Sequence, residues 1–223
     1  MSTLKMENVT YKYKNAPTPA VKGATCTFEP GKLYAIVGPS GSGKSTLLSM
    51  LAGLDLPTEG DILYGEENLK DMDLDRYRRE DISMIFQAFQ LFPLLTVMEN
   101  VCYPMELVGV ETKAAKERAK ECLLHVGIGE EKHKRFPSNL SGGEQQRVAI
   151  ARSLASGAQT ILADEPTGNL DVANTGVIMD ILGGLAHEDG YSVIVVTHDM
   201  EVAEKADVVY KMKDGVLTEG DIS

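Results

Sequence analysis

One short glycine-rich segment has the residue types and spacing needed to bind phosphate groups. It reads Gly38-Pro39-Ser40-Gly41-Ser42-Gly43-Lys44-Ser45-Thr46. Glycines allow a backbone to curl so that successive N–H groups point inward at an anion. In the spacing G-x-x-x-x-G-K-[ST], the lysine reaches the β- and γ-phosphates of a nucleotide and the next hydroxyl binds Mg²⁺. The segment therefore predicts a nucleotide site with Lys44 and Ser45 in these roles.

A pair of acidic residues, Asp164 and Glu165, directly follows the apolar run 160–163. Two acids after a strand are more often part of a surface turn. Beside a phosphate-binding loop the functional interpretation is favoured, because Asp164 would hold Mg²⁺, mostly through its water shell. Glu165 would then face the γ-phosphate and orient the attacking water.

A second glycine-rich segment occurs at 140–144, where Ser141 and Glu144 have the spacing of a capping box. A capped helix start behind Gly142 and Gly143 predicts a second anion site. If it is an anion site, the chain has two phosphate-binding helix starts but a single lysine-bearing loop. The alternative is ordinary helix capping, with no bound anion.

The elements that must position these residues follow from the hydrophobic pattern. Apolar runs that fit strands buried on both faces, as in a parallel sheet, lie at 33–37, 82–86, 160–163 and 193–196. A one-sided apolar stripe predicts a helix over 112–126, and the segment 213–216 predicts a hairpin turn. We therefore expect an α/β fold in a single domain, 1–223. Its core comprises 1–87 and 156–223, and its helical subdomain spans about 88–155.

Composition and charge argue against some classes of function. The formal net charge of −11 disfavours binding to nucleic acid, whose phosphates such a surface repels. No apolar run approaches the roughly 18 residues of a membrane-spanning helix, so any membrane role requires a partner. We interpret the three cysteines as reduced thiols.

Taken together, these motifs resemble the nucleotide-binding subunit of ATP-binding cassette (ABC) transporters, from about Leu4 to Gly220. The matching segments, in the order of the family, are Walker A at 38–46, the Q-loop at Gln87, the signature at 140–144, Walker B at 161–164 with Glu165, the D-loop at 169–171 and the switch histidine His198. Glu144 replaces the last Gln of the usual signature. The resemblance implies a P-loop NTPase core with a mostly parallel sheet, an N-terminal antiparallel β part and an inserted helical lobe.

The resemblance also implies a mechanism. Two subunits would face each other head to tail on two ATP molecules, with Mg²⁺, as an ATPase. The partner's γ-phosphate would touch Ser141 and Gly143, and Gly142, Glu144 and Asp171 would belong to the same nucleotide interface.

Further roles are implied around the reacting phosphate. Glu165 would activate water, His198 would contact the γ-phosphate, and Gln87 would sense the metal and the water. Tyr13 stands where the family has an aromatic ring stacked on adenine, and Tyr11 is a weaker candidate.

Within the family, segments 54–60, 141–152 and 164–171 resemble the branch for lipoprotein release, macrolide export and antimicrobial-peptide resistance. This implies an integral membrane permease with an extracytoplasmic domain, and a subunit held peripherally at the cytoplasmic face of the membrane. Phe89, Leu91 and Phe92 could form the patch that docks the permease, or could simply pack within the helical lobe.

Two other interpretations stay open. A cell-division ABC ATPase resembling FtsE would signal across the membrane without transport, and it shares the same motifs. A soluble DNA-repair or translation cassette is disfavoured by the acidic charge and by the absence of a second cassette or long coiled coil.

Overall fold

The computed structural model describes residues 2–220, so the outermost positions of the predicted domain, 1 and 221–223, lie outside the described residues. The strands are β1 (Leu4–Tyr11), β2 (Val21–Phe28), β3 (Lys32–Val37), β4 (Glu59–Tyr64), β5 (Glu67–Asn68), β6 (Ile82–Phe86), β7 (Thr160–Asp164), β8 (Ser192–Thr197), β9 (Val208–Lys213) and β10 (Val216–Glu219). The helices are α1 (Lys44–Leu51), α2 (Leu74–Glu80), α3 (Val97–Leu107), α4 (Thr112–His125), α5 (Gly142–Ala155), α6 (Val172–His187) and α7 (Met200–Ala203). Short 3-10 helices at Glu130–Lys132 and Pro137–Asn139 precede α5.

The strands form two sheets. A four-stranded sheet has the order β2-β1-β4-β5, and its neighbouring strands are antiparallel. A six-stranded sheet has the order β10-β9-β3-β8-β7-β6. Its strands from β9 to β6 run parallel, and β10 joins as an antiparallel edge. The carboxyl ends of β3, β6, β7 and β8 therefore meet at one edge, where ligands bind in open α/β sheets.

The six-stranded sheet is buried on both faces, as β8 illustrates. Val193 and Val195 pack in one apolar cluster with residues of α5 and α6. Ile194 and Val196 pack in a second cluster with residues of α1. Successive strand residues point to opposite faces, and each fully buried Val or Ile contributes roughly 1.5–3 kcal/mol. This burial fixes the position of β8 in the sheet, and with it the position of the residues that follow the strand.

Three helices, α3, α4 and α5, follow one another between β6 and β7. They share apolar residues of the first cluster, including Val101, Ala119 and Val148. The division into a core of 1–87 and 156–223 and a helical subdomain of about 88–155 stays a prediction.

The local predictions for these elements are confirmed. The four predicted apolar strands lie within β3, β6, β7 and β8. The predicted helix is α4, which ends one residue before Val126, and β9 and β10 form the predicted hairpin with Lys213 opposite Val216. In the range 2–220, none of the helices combines the length and the apolar character that crossing a membrane requires.

Candidate functional site

The phosphate-binding loop connects the end of β3 to the start of α1. Gly43, at the start of the helix, has φ of 109°, a left-handed conformation that strains other residues. A Cβ atom there would also overlap with the Ala20 carbonyl oxygen. No side chain caps α1, so its first N–H groups stay available to a ligand. The loop is thus built as an anion site at a helix start.

Lys44 is buried, with 7% of its surface exposed, and it folds back over this loop. Its Nζ donates to the carbonyl oxygens of Gly38 at 2.7 Å and Pro39 at 3.1 Å. These two hydrogen bonds hold the ammonium group above the loop, where a bound phosphate would meet it.

Two carboxylates follow β7 beside the loop. The Asp164 Oδ1 accepts a hydrogen bond from the Ser45 hydroxyl at 3.5 Å. Burial raises the pKa of Asp164, and neighbouring Glu165 adds to the rise, while Ser45 and Lys44 oppose it. A carboxylate short of water and beside a hydroxyl is suited to a hard cation.

Glu165 is held in an unusual backbone conformation. Its φ is 49°, and its N–H donates to the Val196 carbonyl oxygen at 2.9 Å. The His198 Nδ1 lies 2.9 Å from both carboxylate oxygens of Glu165. Because β7 and β8 are parallel neighbours, residues just past their ends meet, which explains how positions 33 apart in sequence form this pair.

Gln87 follows β6 and reaches the same edge of the sheet. Its side-chain amide donates to the Asn169 Oδ1 at 3.3 Å, and the Asn169 amide donates back to the Gln87 carbonyl at 3.0 Å. These bonds connect the Q-loop position to the D-loop segment.

Tyr13 lies at the mouth of the site and is 49% exposed. Its hydroxyl shares a hydrogen bond with the Thr46 Oγ1 at 2.9 Å, and its ring meets Tyr11 edge-on at 5.0 Å. The Tyr11 hydroxyl instead donates to Asp55 at 3.2 Å. Because its ring is exposed, Tyr13 is better placed than Tyr11 to stack on the adenine ring of a nucleotide.

These side chains line one open cleft of about 480 Å³. That volume falls within the roughly 300–1,000 Å³ of small-molecule sites. The lining residues are Tyr13, Ala20, Ser40, Gly41, Gly43, Lys44, Ser45, Thr46, Gln87, Glu165 and His198. Two residues predicted from separate motifs, Glu165 and His198, thus meet the phosphate loop in space.

The signature segment lies elsewhere in the described chain. Ser141 caps α5 by accepting from the Glu144 N–H at 3.3 Å, and Glu144 accepts from the Ser141 N–H at 2.8 Å. A Cβ atom at Gly143 would overlap with the Asn174 side chain. Across residues 2–220, Ser141, Gly142, Gly143 and Glu144 do not line the cleft.

Asp171 also lies outside the cleft and begins α6. Its carboxylate accepts from the Asn174 N–H at 2.8 Å and from the Asn174 side-chain amide at 2.9 Å. These hydrogen bonds lower the pKa of Asp171. Its contact with a nucleotide stays a prediction.

Two supporting residues were missed from the sequence. Arg152 of α5 donates to the carbonyl oxygens of Gln90 at 2.6 Å and Phe89 at 3.1 Å, and so holds the turn after Gln87, where both residues have positive φ. Lys132 forms an ion pair with Glu144 at 2.8 Å. Arg152 lies within segment 141–152, whose resemblance to the family could have marked it, whereas nothing in the local sequence marks Lys132.

Comparisons with known proteins agree with this site. The family described as ABC transporter matches residues 21–168. YclH of Bacillus subtilis, named an uncharacterized ABC transporter ATP-binding protein, is 40% identical over 218 residues, which cover 98% of this chain and 96% of YclH. The chain therefore belongs to the ABC transporter family, as one of its ATP-binding subunits.

Two further relatives are similar to the chain over most of its length. The dimeric structure of MJ0796, an ABC transporter cassette of Methanocaldococcus jannaschii, has a TM-score of 0.88 and 41% identity over 99% of both chains. A second MJ0796 structure is a dimer in a post-hydrolysis state with ADP and Pi. MacB of a Shewanella strain, a macrolide export ATP-binding/permease protein, is 44% identical over 201 residues, which cover 88% of this chain and 31% of MacB.

These findings confirm the predicted fold class, an α/β P-loop NTPase of the ABC type. They also confirm the predicted enzyme class, an ATPase that binds ATP.

Proposed function

We propose that this chain works as a head-to-tail homodimer that closes on two ATP molecules and drives a separate membrane permease. The observation that carries the proposal is the separation of two helix starts on one chain. The start of α1 opens into the cleft, whereas Ser141 at the start of α5 does not line it. A second copy turned end to end would bring its Ser141 to the phosphates held at α1. The dimeric structures of MJ0796 support this pairing.

The Ser141 hydroxyl is suited to that role. Its oxygen accepts from the Glu144 N–H, which leaves its own O–H free to donate to a phosphate. Gly143 brings the α5 backbone close to Asn174, with no room for a side chain between them. The available O–H supports the assignment of Ser141 to the partner's γ-phosphate. The resemblance to ABC cassettes supports Gly143 beside it, and Gly142, Glu144 and Asp171 in the surrounding interface.

Within the cleft, the backbone of 38–43 and Lys44 hold the phosphates, and Thr46 and Tyr13 hold the adenine side. Glu165 orients the attacking water and accepts its proton. His198, 2.9 Å from Glu165, fixes that carboxylate and adds a donor toward the γ-phosphate. The parallel pairing of β3 with β8 and of β8 with β7 supports these roles, because it brings the phosphate loop, His198 and Glu165 to one edge of the sheet.

The donor set also fits Mg²⁺. Ser45 and Asp164 supply two hard oxygen donors 3.5 Å apart, and Gln87 supplies an amide oxygen from the cleft wall. Among residues 2–220, no cluster of three or more His, Cys, Asp or Glu is placed to hold a metal on its own. Mg²⁺ commonly takes one or two protein ligands and completes its shell with waters and substrate phosphates. When bound, it would neutralise charge on the phosphates.

The membrane partner has a candidate docking place in a largely apolar groove between the core and the helical segment. Its walls include Met84, Phe92, Tyr103, Leu107, Arg78 and Arg79. Phe92 is 40% exposed and packs on Tyr103 with ring centroids 4.7 Å apart. Arg78 is already paired with Asp75 and with the Gly53 carbonyl oxygen. We propose that a short cytoplasmic segment of the permease, apolar with an acidic residue facing Arg79, occupies this groove.

The three apolar residues that follow Gln87, namely Phe89, Leu91 and Phe92, lie in different places. Phe92 lines the groove, Leu91 packs against the apolar core, and the Phe89 ring lies near Gly142. Phe92 is thus our choice for the contact. The printed name of MacB, a macrolide export ATP-binding/permease protein, supports export as the task. From the resemblance of segments 54–60, 141–152 and 164–171 to the lipoprotein-release and macrolide-export branch, we propose a permease with an extracytoplasmic domain, export or extraction as the task, and a subunit held at the cytoplasmic face of the membrane.

The experiment is a pull-down from native membranes with the tagged Glu165→Gln protein and ATP. We expect an integral membrane protein with a large extracytoplasmic domain, and its loss when Phe92→Glu is added. The control is Phe136→Glu, at another exposed Phe of the helical segment outside the groove. Recovery of no membrane protein, or of a division-type membrane protein without such a domain, would contradict the transporter assignment.

A further inference from the structure

The start of α5 contains an ion pair that the proposed function does not use. The Glu144 carboxylate lies in the first turn of the helix, and its Oε1 is 2.8 Å from the Lys132 Nζ. Its Oε2 accepts from the Ser141 N–H at 2.8 Å. One carboxylate thus joins the lysine to the backbone of the residue assigned to the partner's phosphate.

Lys132 is presented by a fixed segment of chain. It ends the 3-10 helix Glu130–Lys132, and the next residue, His133, is buried with a ring nitrogen 3.2 Å from the Ile128 carbonyl. The His133 carbonyl accepts from the Met98 N–H at 3.0 Å, at the start of α3. Lys132 itself is only 24% exposed, so its side chain loses less freedom on pairing than a fully exposed lysine would.

The Lys132–Glu144 ion pair offsets an unfavourable charge that arises only when the signature ends in Glu. A helix start attracts anions through its partial positive charge, about half an elementary charge. A full negative charge in the same turn opposes that attraction. Lys132, together with the Ser141 N–H, lowers the pKa of Glu144 to about 2, so the carboxylate is ionised at any physiological pH. The opposing charge is therefore permanent unless a cation neutralises it.

We propose that Lys132 is a positioning residue for ATP-driven closure, which neutralises Glu144 and keeps it turned onto the Ser141 backbone. The α5 start then presents a free Ser141 O–H and a net positive end to the partner's ATP. This proposal rests on the head-to-tail pairing of the proposed function. A glutamine at position 144 would make the same backbone contact without a charge, so it would not need the lysine.

The test is a double-mutant cycle in the Glu165→Gln background, with light scattering to measure the ATP concentration that gives half-maximal dimer. Lys132→Met should raise that concentration about tenfold, the scale of one charge-assisted hydrogen bond. The same change in a chain that also carries Glu144→Gln should raise it less than about twofold. Lys134→Met removes an equal charge from an exposed neighbour and should have no effect.

Each outcome has a distinct meaning. An equal shift with and without Glu144→Gln would overturn the proposal, because Lys132 would then act on the phosphate or on folding rather than through Glu144. No shift at all would overturn it as well. Failure of the parent Glu165→Gln chain to dimerise at any ATP concentration would instead overturn the pairing itself, and this proposal with it. Thermal unfolding without ATP identifies a variant that is merely destabilised.

Discussion

The helices α1 and α5 both begin beside glycines, but their first turns are built differently. The α1 start has no side-chain cap, and Gly43 brings its backbone close to Ala20. The α5 start is capped in both directions by Ser141 and Glu144. The first N–H groups of a start without a side-chain cap are open to water or to a ligand. A capped start has some of these groups already satisfied by its own side chains.

The difference between the two helix starts agrees with the two roles that we propose for them. On its own chain, the α1 start lies beside Lys44, the proposed base Glu165 and the proposed metal ligand Asp164. The α5 start lies outside that cleft, and we propose that it completes the site of a second copy. Substitutions around α1 should therefore impair chemistry and binding within one chain, and substitutions at α5 should impair closure of the pair.

The largest expected effect is on the chemical step at the α1 cleft. Glu165→Gln should lower the rate of phosphate release about 10²-fold or more, because the water loses its base, while ATP affinity is kept. Glu188→Gln, at an exposed acid just after α6 and outside this cleft, is the matched control and should stay within about twofold. A Glu165→Gln enzyme within tenfold of the parent would remove Glu165 from the assigned role.

The second-largest expected effect comes from removing the positive charge of Lys44 at the start of α1. Lys44→Ala should weaken ATP binding roughly 10- to 100-fold, the value of a charged hydrogen bond of about 1.5–3 kcal/mol. Equilibrium titration with a fluorescent ATP analogue measures this directly. Lys14→Ala, at an exposed lysine of similar charge, should change affinity by less than about twofold. Equal affinities for the Lys44 variant and the parent would refute the assignment.

At α5 the matched pair is Gly143→Ala and Gly142→Ala. A Cβ atom added at Gly143 would overlap with Asn174, whereas one added at Gly142 would lie 3.5 Å from Leu170, an ordinary contact. We expect turnover to fall about tenfold for the first and less for the second, with ATP affinity of the single chain unchanged in both. Adding Asn174→Ala should restore part of the Gly143→Ala loss. A fall in single-chain ATP affinity would break the proposed contrast between the two starts.

The smallest effect concerns stability. Burial raises the pKa of Asp164, so the ionised carboxylate costs folding free energy above that raised pKa, and the cost disappears below its unfolded value. Asp164→Asn should therefore raise the free energy of unfolding at neutral pH by about 1 kcal/mol while it impairs metal-dependent turnover. Urea unfolding at neutral and acidic pH, without nucleotide, checks both parts. A gain that is the same at low pH would show that the carboxylate charge is not its cause.

The sequence predicted the α1 cleft more fully than the α5 start. The phosphate loop is contiguous, and Asp164, Glu165 and His198 each lie at or just past the end of a recognisable apolar strand, so sheet topology brings them together. Lys132 and Arg152 instead act through contacts made within residues 88–155: Lys132 pairs with Glu144 of α5, and Arg152 binds the turn that follows β6. Such contacts depend on tertiary distances, and no local spacing rule encodes them.

The measurement that tests paired action most directly is the mass of the Glu165→Gln chain in solution, by light scattering with and without ATP and Mg²⁺. The account predicts a single chain without ATP and a twofold mass with it. It also predicts a return to the single chain when Ser141→Arg is added, although that variant should still bind ATP. A Glu165→Gln chain that keeps the mass of one copy at saturating ATP would contradict the account.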